Sequence, residues 1–303
     1  MICQRCGAAT LRPGWATSES AAVTVLARWW PRRQIVSSLI GGLGNQMFQY
    51  AAGRALADRE RATLVLDTSP LRAKADNTPR TYGLDAFRIQ AEVDSVPADA
   101  LARMALLEEG GTAGRWPRKV HRQTRLAGHW QCEAFFSEIR PHLVRDFQLA
   151  TPPSSYVAEI ARKICGSSVA VSVHFRRGDY VTLPAAARFH GTCSTEYYRT
   201  AIERLTHRLG GLDLFVFSDD PRWVQDNAGL PEGSTVVDCD RSTPAQDIWL
   251  MSLCRHHVIA NSSFSWWGAW LGTSEGITIG PIGWFLDQDA PQSHIVPERW
   301  ERM

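Results

Sequence analysis

The sequence predicts an α/β protein made of two α/β domains in series that face one another across a cleft. Three observations carry this reading. Residues 35–67 run strand, glycine turn, helix, strand, the opening of a βαβ unit. A second series of strands and helices follows residue 155. Between the two, Thr151-Pro152-Pro153-Ser154-Ser155 breaks both periodicities and marks a domain boundary. The predicted division is an extension at 1–34, a first domain at 35–155 and a second at 156–303. A chain of 303 residues, 44% of them hydrophobic, can bury a sizeable core as one large domain or two moderate ones.

Ile35-Val36-Ser37-Ser38-Leu39-Ile40 reads as a strand, and Gly41-Gly42-Leu43-Gly44-Asn45-Gln46 as the turn after it. Met47 to about Arg61 is helical, with Phe48, Ala51, Ala52, Ala55 and Leu56 on one side. Thr63-Leu64-Val65-Leu66-Asp67 is the next strand, and residues 95–125 are expected to be mostly helical. In the second series, strands fall near 169–175, 213–218, 235–238, 256–260 and 277–279. Helices fall near 195–209, 221–228 and 244–254. No repeat at a solenoid period is present.

The net charge of +2 provides no global basic field, so nucleic acid is not an expected partner and any anion site must be local. No run reaches the roughly 18 apolar residues of a membrane span, and no apolar segment near the start precedes a small-residue cleavage site. A cytoplasmic protein is expected. Cys3 and Cys6 form a CxxC, but no second pair accompanies it, so isolated thiols in a reducing compartment account for the seven cysteines better than zinc. Residues 1–34 close on Trp29-Trp30-Pro31-Arg32-Arg33. They read either as a basic-aromatic segment in peripheral contact with an anionic membrane, or as a disordered extension; the lack of periodicity favours the second.

The most informative segment is Val171-Ser172-Val173-His174-Phe175-Arg176-Arg177-Gly178-Asp179-Tyr180. Its alternation is that of a strand, ending in two adjacent arginines and a glycine that permits a sharp turn. Two guanidiniums at a strand's carboxyl edge suit a dense anion such as a diphosphate, because each presents a rigid fork of donors. That edge is where open α/β sheets bind ligands. A solvated salt bridge is the alternative.

Three other segments carry chemistry. Gly42-x-Gly44 after a strand invites a dinucleotide reading, but Met47 stands where a third glycine is needed. Asn45 and Gln46 instead bring amides to a helix N-terminus, which favours an anion or a polar hydroxyl. Leu214-Phe215-Val216-Phe217-Ser218-Asp219-Asp220 is a strand ending in paired carboxylates. These could hold a divalent cation, accept from the N1–H and N2–H₂ edge of guanine, or cap the helix opened by Pro221; one is expected to cap and the other to bind. Asn261-Ser262-Ser263-Phe264-Ser265-Trp266-Trp267-Gly268 enters a helix with hydroxyls and backbone amides suited to phosphate, or simply caps a core helix.

These four motifs, in this order and joined by Gly128-His129-Trp130-Gln131, Phe189-His190-Gly191 and Tyr197-Tyr198, resemble the bacterial α-1,2-fucosyltransferases of glycosyltransferase family 11 over residues 35 to 300. The resemblance implies a GT-B-like architecture of two Rossmann-type domains facing a cleft, with GDP-fucose held mainly by the second. It implies transfer of L-fucose to the 2-hydroxyl of a galactoside with inversion, no cofactor and no essential metal. The acceptor would be a galactose-terminated oligosaccharide or lipid-linked glycan. Carried onto this sequence, Arg176 stabilises the departing β-phosphate, with Arg177 as a partner or as a brace paired with Asp179. Ser262, Ser263 and Asn45 contact phosphate, with Gln46 beside them. His174 lines the guanine or ribose side, and Asp219 and Asp220 are turned toward guanine. Asp179 and His190 are the candidate bases, and a dissociative route with a late proton transfer stays open beside them. Another GDP-sugar, or a non-catalytic glycan- or nucleotide-binding role, are the alternatives.

Overall fold

Two all-parallel sheets carry the fold, and the order of their strands decides where the motifs meet. The structure is a computed structural model and describes residues 32–72, 80–109, 114–178, 181, 184–272, 275–286, 292 and 294–303. The readings of residues 1–31 and of Asp179 lie outside the described residues. Strands β1 (Gln34–Ser38), β2 (Thr63–Asp67), β3 (Glu92–Asp94), β4 (Ala105–Glu108) and β5 (Gln123–Ala127) form one sheet in the order β3-β2-β1-β5-β4. The other contains β6 (Ala170–Phe175), β7 (Asp213–Ser218), β8 (Thr235–Val236), β9 (His256–Val258), β10 (Thr278–Gly280) and β11 (Glu301–Arg302), in the order β11-β10-β9-β6-β7-β8. Both sheets belong to one compact unit, Arg33–Met303.

The helices are α1 (Leu43–Glu60), α2 (Ser69–Arg72), α3 (Ala98–Ala102), α4 (Arg140–Asp146), α5 (Ser155–Gly166), α6 (Pro184–His190), α7 (Thr195–Leu209), α8 (Pro221–Asn227), α9 (Pro244–Leu253) and α10 (Ser263–Leu271). Their starts follow local chemistry. Ser154 and Ser194 accept from the backbone N–H three residues on, and Thr243 with Gln246 forms a reciprocal capping box.

In each sheet the chain leaves its first strand toward one side and later fills the other. The reversal falls between β1 and β5 in the first sheet, and between β6 and β9 in the second. Crevices at such switch points, beyond the carboxyl ends of the strands, are where open α/β sheets take ligands. The loops there are Leu39–Gly42 and Gly128–Gln131 on one side, and Arg176–Gly178 and Ile259–Ser262 on the other.

Two expectations are corrected. Residues 95–125 are not mostly helical: among the described residues only α3 is, and the rest is β4, the start of β5, and turns or irregular chain. Strand β5 sits beside β1 yet reads Gln123-Thr124-Arg125-Leu126-Ala127, and only Thr124 and Leu126 are buried, so its apolar signal is one residue deep. Helix α1 starts at Leu43 rather than Met47, which puts Gly44, Asn45 and Gln46 in its first turn; the N–H groups of Asn45 and Gln46 both donate to Gly42 O at 3.0 Å. Nor does α1 bury one side only. Met47, Phe48, Gln49, Tyr50, Ala51 and Ala52 are all at 0% exposure, because the helix lies between the first sheet and α10.

That α1–α10 contact joins the two halves. Trp266, Trp267 and Trp270 project from α10 into a cluster with Phe48, Phe136 and Phe147, with Phe48 4.5 Å from Trp266 and 4.9 Å from Trp267 between ring centroids. Trp267 Nε1 donates to Gly44 O at 3.0 Å. A Cβ on Gly44 would stand 2.6 Å from the carbonyl carbon of Ser263 and 2.7 Å from the amide nitrogen of Phe264. Backbone cannot give way as a side-chain tip can. Gly44→Ala should therefore lose at least the ~1–3 kcal/mol typical of overpacking. Gly166→Ala, where a Cβ meets nothing within 4 Å, should be neutral or slightly stabilising. Urea unfolding of both variants checks this; equal midpoints would show that the two helices are not pressed together at Gly44.

Candidate active site

Strand β6 sorts its side chains by face. Val171, Val173 and Phe175 pack toward α7, where the Phe175 and Tyr198 rings stack at 3.8 Å. Ser172, His174 and Arg176 alternate onto the opposite face, where His174 lies 5.4 Å from the Phe264 ring of α10. This face is polar although buried. Ser172 Oγ is 2.7 Å from His257 Nδ1, and both residues are almost wholly enclosed. Among the described residues, His174 Nδ1 and His257 Nε2 are buried without a hydrogen-bond partner.

At the end of β6 the two arginines meet the two aspartates that end β7, its parallel neighbour. Arg176 Nη1 is 2.7 Å from Asp219 Oδ2, and the Arg177 N–H donates to Asp219 Oδ1 at 2.9 Å. Gly178 completes the turn where a Cβ would come within 2.4 Å of Asp219 Oδ2. A Cβ here would push that carboxylate tip aside, so the glycine lets Asp219 sit close. Asp220 caps α8 by accepting from Trp223 N at 3.1 Å, and its other oxygen stands 3.6 Å from Arg177 Nε. The Arg177 guanidinium lies over the Trp223 ring, 3.5 Å from its centroid. The structure thus braces Arg177 through Asp220 and Trp223. Asp219 holds both arginines, so neither carboxylate is a bare acceptor.

Beside them, at the end of β9, Asn261 donates through Nδ2 to the carbonyls of His190 (2.8 Å), Trp284 (3.2 Å) and Gly191 (3.3 Å). This ties His190, at the end of α6, to the same switch point; its ring lies against Phe189 and Phe285. Ser262 caps α10, accepting from Phe264 N at 3.3 Å, and is buried. The hydroxyl of Ser263 is 2.7 Å from where a Cβ on Gly44 would be, so the first turns of α1 and α10 adjoin at that residue. Arg176, Arg177, Asp219, Asp220, His190, Ser262 and Ser263 are therefore gathered along one sheet edge, with His174 one step below.

On the facing edge, Asn45 and Gln46 have different roles. Gln46 is 1% exposed and is engaged inside the protein. Its Nε2 donates to Thr81 O (2.9 Å) and Gly41 O (3.1 Å), and its Oε1 accepts from Gly83 N (3.1 Å). It holds the 81–83 loop against the glycine turn and has no polar group left for a substrate. Asn45 is half-buried, and its Oδ1 accepts from Gln131 Nε2 at 2.9 Å. Asp67, at the end of β2, is fully buried and accepts from Ser69 and Val96 N–H groups.

Sequence reading missed four residues that hold this arrangement: Glu109, Gln131, Trp223 and Asn261. Gln131 and Asn261 lie within recognised motifs, which was a signal of place but not of role. Trp223 two residues beyond a capping Asp-Pro could have been suspected of covering an arginine. Glu109 left no local trace, since its partners are 20–22 residues away. Among the described residues, no group of three or more His, Cys, Asp or Glu side chains is placed to hold a metal ion, and no helix is long and apolar enough to cross a membrane.

Two facing parallel sheets, with arginines at one switch point and a helix N-terminus at the other, define a GT-B-like transferase class. Residues 115–301 match Glycosyl transferase family 11. The chain is 34% identical to an alpha-1,2-colitosyltransferase of Escherichia coli, covering 89% of this chain and 98% of that protein. It is 30% identical to the O-antigen biosynthesis glycosyltransferase WbnK of Escherichia coli, over 87% of this chain and 98% of that protein. It is 26% identical to the bovine (Bos taurus) galactoside alpha-(1,2)-fucosyltransferase 2, over 95% of this chain and 86% of that protein. Among solved structures, the fucosyltransferase NodZ from Bradyrhizobium shares the fold with a TM-score of 0.52 at 14% identity, over 80% of this chain and 94% of that one. The protein belongs to glycosyltransferase family 11.

The buried face of β6 gives a pH dependence with a definite sign. Burial, and then the charge of Arg176, pushes the His174 pKa from 6.5 down to about 3; burial, and then His256, does the same for His257. Below pH 6.5 the unfolded chain takes up protons that the folded chain refuses until about pH 3, so each imidazole costs stability as the pH falls through that window. His257→Gln, which keeps a partner for Ser172, should lose unfolding free energy less steeply than wild type between about pH 7 and about pH 4.5, by the slope of one proton. Parallel slopes in urea titrations would show that His257 protonates in the folded state.

Proposed function

We propose that the protein moves L-fucose from GDP-fucose to the 2-hydroxyl of a galactoside, forming an α-1,2 linkage with inversion. The observation that supports this most directly is that Arg176 lies just beyond β6 at one switch point, beside β9, and that the helix opening after β9, α10, has its first turn against that of α1. A guanidinium fork and two positive helix ends form a cradle for a diphosphate. The relatives named for α-1,2 transfer bear on the linkage.

In this reading the acceptor oxygen attacks the anomeric carbon as the bond from that carbon to the β-phosphate oxygen breaks, and the electron pair leaves with GDP. Arg176 stabilises the charge that develops on the β-phosphate, held ready by Asp219. Arg177, braced by Asp220 and Trp223, sets the turn. Ser263 and the amide nitrogen of Asn45 bind phosphate from opposite sides. The proton of the acceptor hydroxyl goes to Asp179 or His190, or late in a dissociative route to a phosphate oxygen. Neutral His174 lines the nucleotide side without adding a second positive charge. No metal has a step in this scheme. The protein would work in the cytoplasm on a galactose-terminated oligosaccharide or a lipid-linked glycan, in peripheral contact with the membrane in the second case.

A colitosyl donor is the second reading, favoured by the 34% identity to the colitosyltransferase. Colitose is fucose lacking the 3-hydroxyl, so the phosphate machinery would serve both sugars. Purified protein incubated with each GDP-sugar and a β-galactoside panel in EDTA should release GDP only when acceptor is present, and the product mass identifies the sugar moved. Arg176→Ala should lower kcat by about 10²–10³. Full activity in that variant would remove Arg176 from the chemistry, and GDP release without acceptor would indicate hydrolysis rather than transfer.

A further inference from the structure

The segment Gly128–Gln131 is held from three directions. The Glu109 carboxylate, just beyond β4, accepts from the consecutive N–H groups of His129 (2.8 Å), Trp130 (2.7 Å) and Gln131 (3.1 Å). Consecutive N–H groups around one carboxylate form a nest, ordinarily a place for a bound anion, and here the protein's own side chain fills it. Trp130 has φ 58°, a left-handed conformation that costs a non-glycine residue about 1–3 kcal/mol. Its ring is buried between Trp116 and Phe135, at 5.2 and 5.0 Å, which holds the conformation. Buried Gln49 donates to Gly128 O at 3.1 Å and accepts from Ile40 N at 3.0 Å, tying this loop to the one after β1.

All of this fixes Gln131, whose Nε2 donates to Asn45 Oδ1 at 2.9 Å. With its oxygen occupied by a donor, the Asn45 amide has only one orientation, with Nδ2 on the opposite side. There Nδ2 lies over Gly41, 2.5 Å from where a Cβ would stand, at the mouth of the glycine turn. We propose that Gln131 is a positioning residue: it orients Asn45 so that a hydrogen-bond donor, and not an acceptor, meets the diphosphate. The proposal rests on the nucleotide-sugar reading of the site. Glu109 supports it from below by fixing the backbone that carries Gln131.

Gln131→Glu is nearly isosteric and reverses the pattern. A carboxylate at 131 can only accept, so it draws Asn45 Nδ2 toward itself and turns Oδ1 to the phosphate. The test is a double-mutant cycle of Gln131→Glu with Asn45→Ala, read by calorimetric GDP binding, by kcat and KM for the GDP-sugar, and by thermal unfolding. Gln131→Glu should weaken GDP binding about 10–100-fold, the loss expected for a hydrogen bond to a charged group, with little change in unfolding temperature. In the Asn45→Ala background the same substitution should cost under about 2-fold, because Gln131 acts through Asn45. Gln131→Met, which removes the donor without adding an acceptor, should show a smaller loss with the same dependence on Asn45. Unchanged GDP affinity in Gln131→Glu, or an equal loss with and without Asn45, overturns the positioning role while the nucleotide reading stands. A wild-type protein that binds no GDP overturns both.

Discussion

The site depends on a backbone-to-backbone contact at Gly44, where the first turn of α1 presses on the first turn of α10. Each helix brings a partial positive charge of about half a unit at its N-terminus, so the two ends repel in the absence of an anion. The Phe48, Phe136 and tryptophan cluster behind them holds the ends together against that repulsion. The helix ends are thereby fixed before any ligand arrives. In the proposed reading, such a site stabilises negative charge without reorganising as the charge appears.

The arginines follow the same logic by another route. Arg176 pairs with Asp219 and Arg177 with Asp220, so the edge is close to neutral in formal charge. What it offers an anion is directed N–H groups more than net charge. A guanidinium has five donors, and one bond to a carboxylate leaves others to offer. The aspartates serve as positioning groups whose removal would loosen both arginines. In the proposed scheme, chemistry and scaffolding are divided between side chains of adjacent sequence: Arg176 from Arg177, and Asn45 from Gln46.

That division explains which parts were legible in the sequence. The arginine turn, the Asp-Asp strand end and the serine-tryptophan helix were readable because each sits where a periodic strand meets glycine, proline or serine. The strands and helices after residue 169 were legible for the same reason. What could not be read was the use of each polar group. Gln46 and Asn45 are adjacent amides in one turn, yet the first is buried with every polar atom engaged and the second faces its neighbour in the next loop. Two different loops decide between them, the 81–83 loop engaging Gln46 and the loop after β5 engaging Asn45. Likewise β5 was hidden because its central place in the sheet comes from its neighbours, while its own residues are mostly polar.

The aromatic joint also bears on how the molecule can move. Parting the two sheets would bring Phe48, Phe136, Trp266 and Trp267 into water, each hiding ~150–250 Å². At ~25 cal/mol per Å², exposing even part of that area on four rings costs a sizeable share of the roughly 5–15 kcal/mol that keeps a typical domain folded. Hinge opening about this joint is therefore strongly opposed. Movement of the loops beyond the strand ends leaves these rings buried and costs far less.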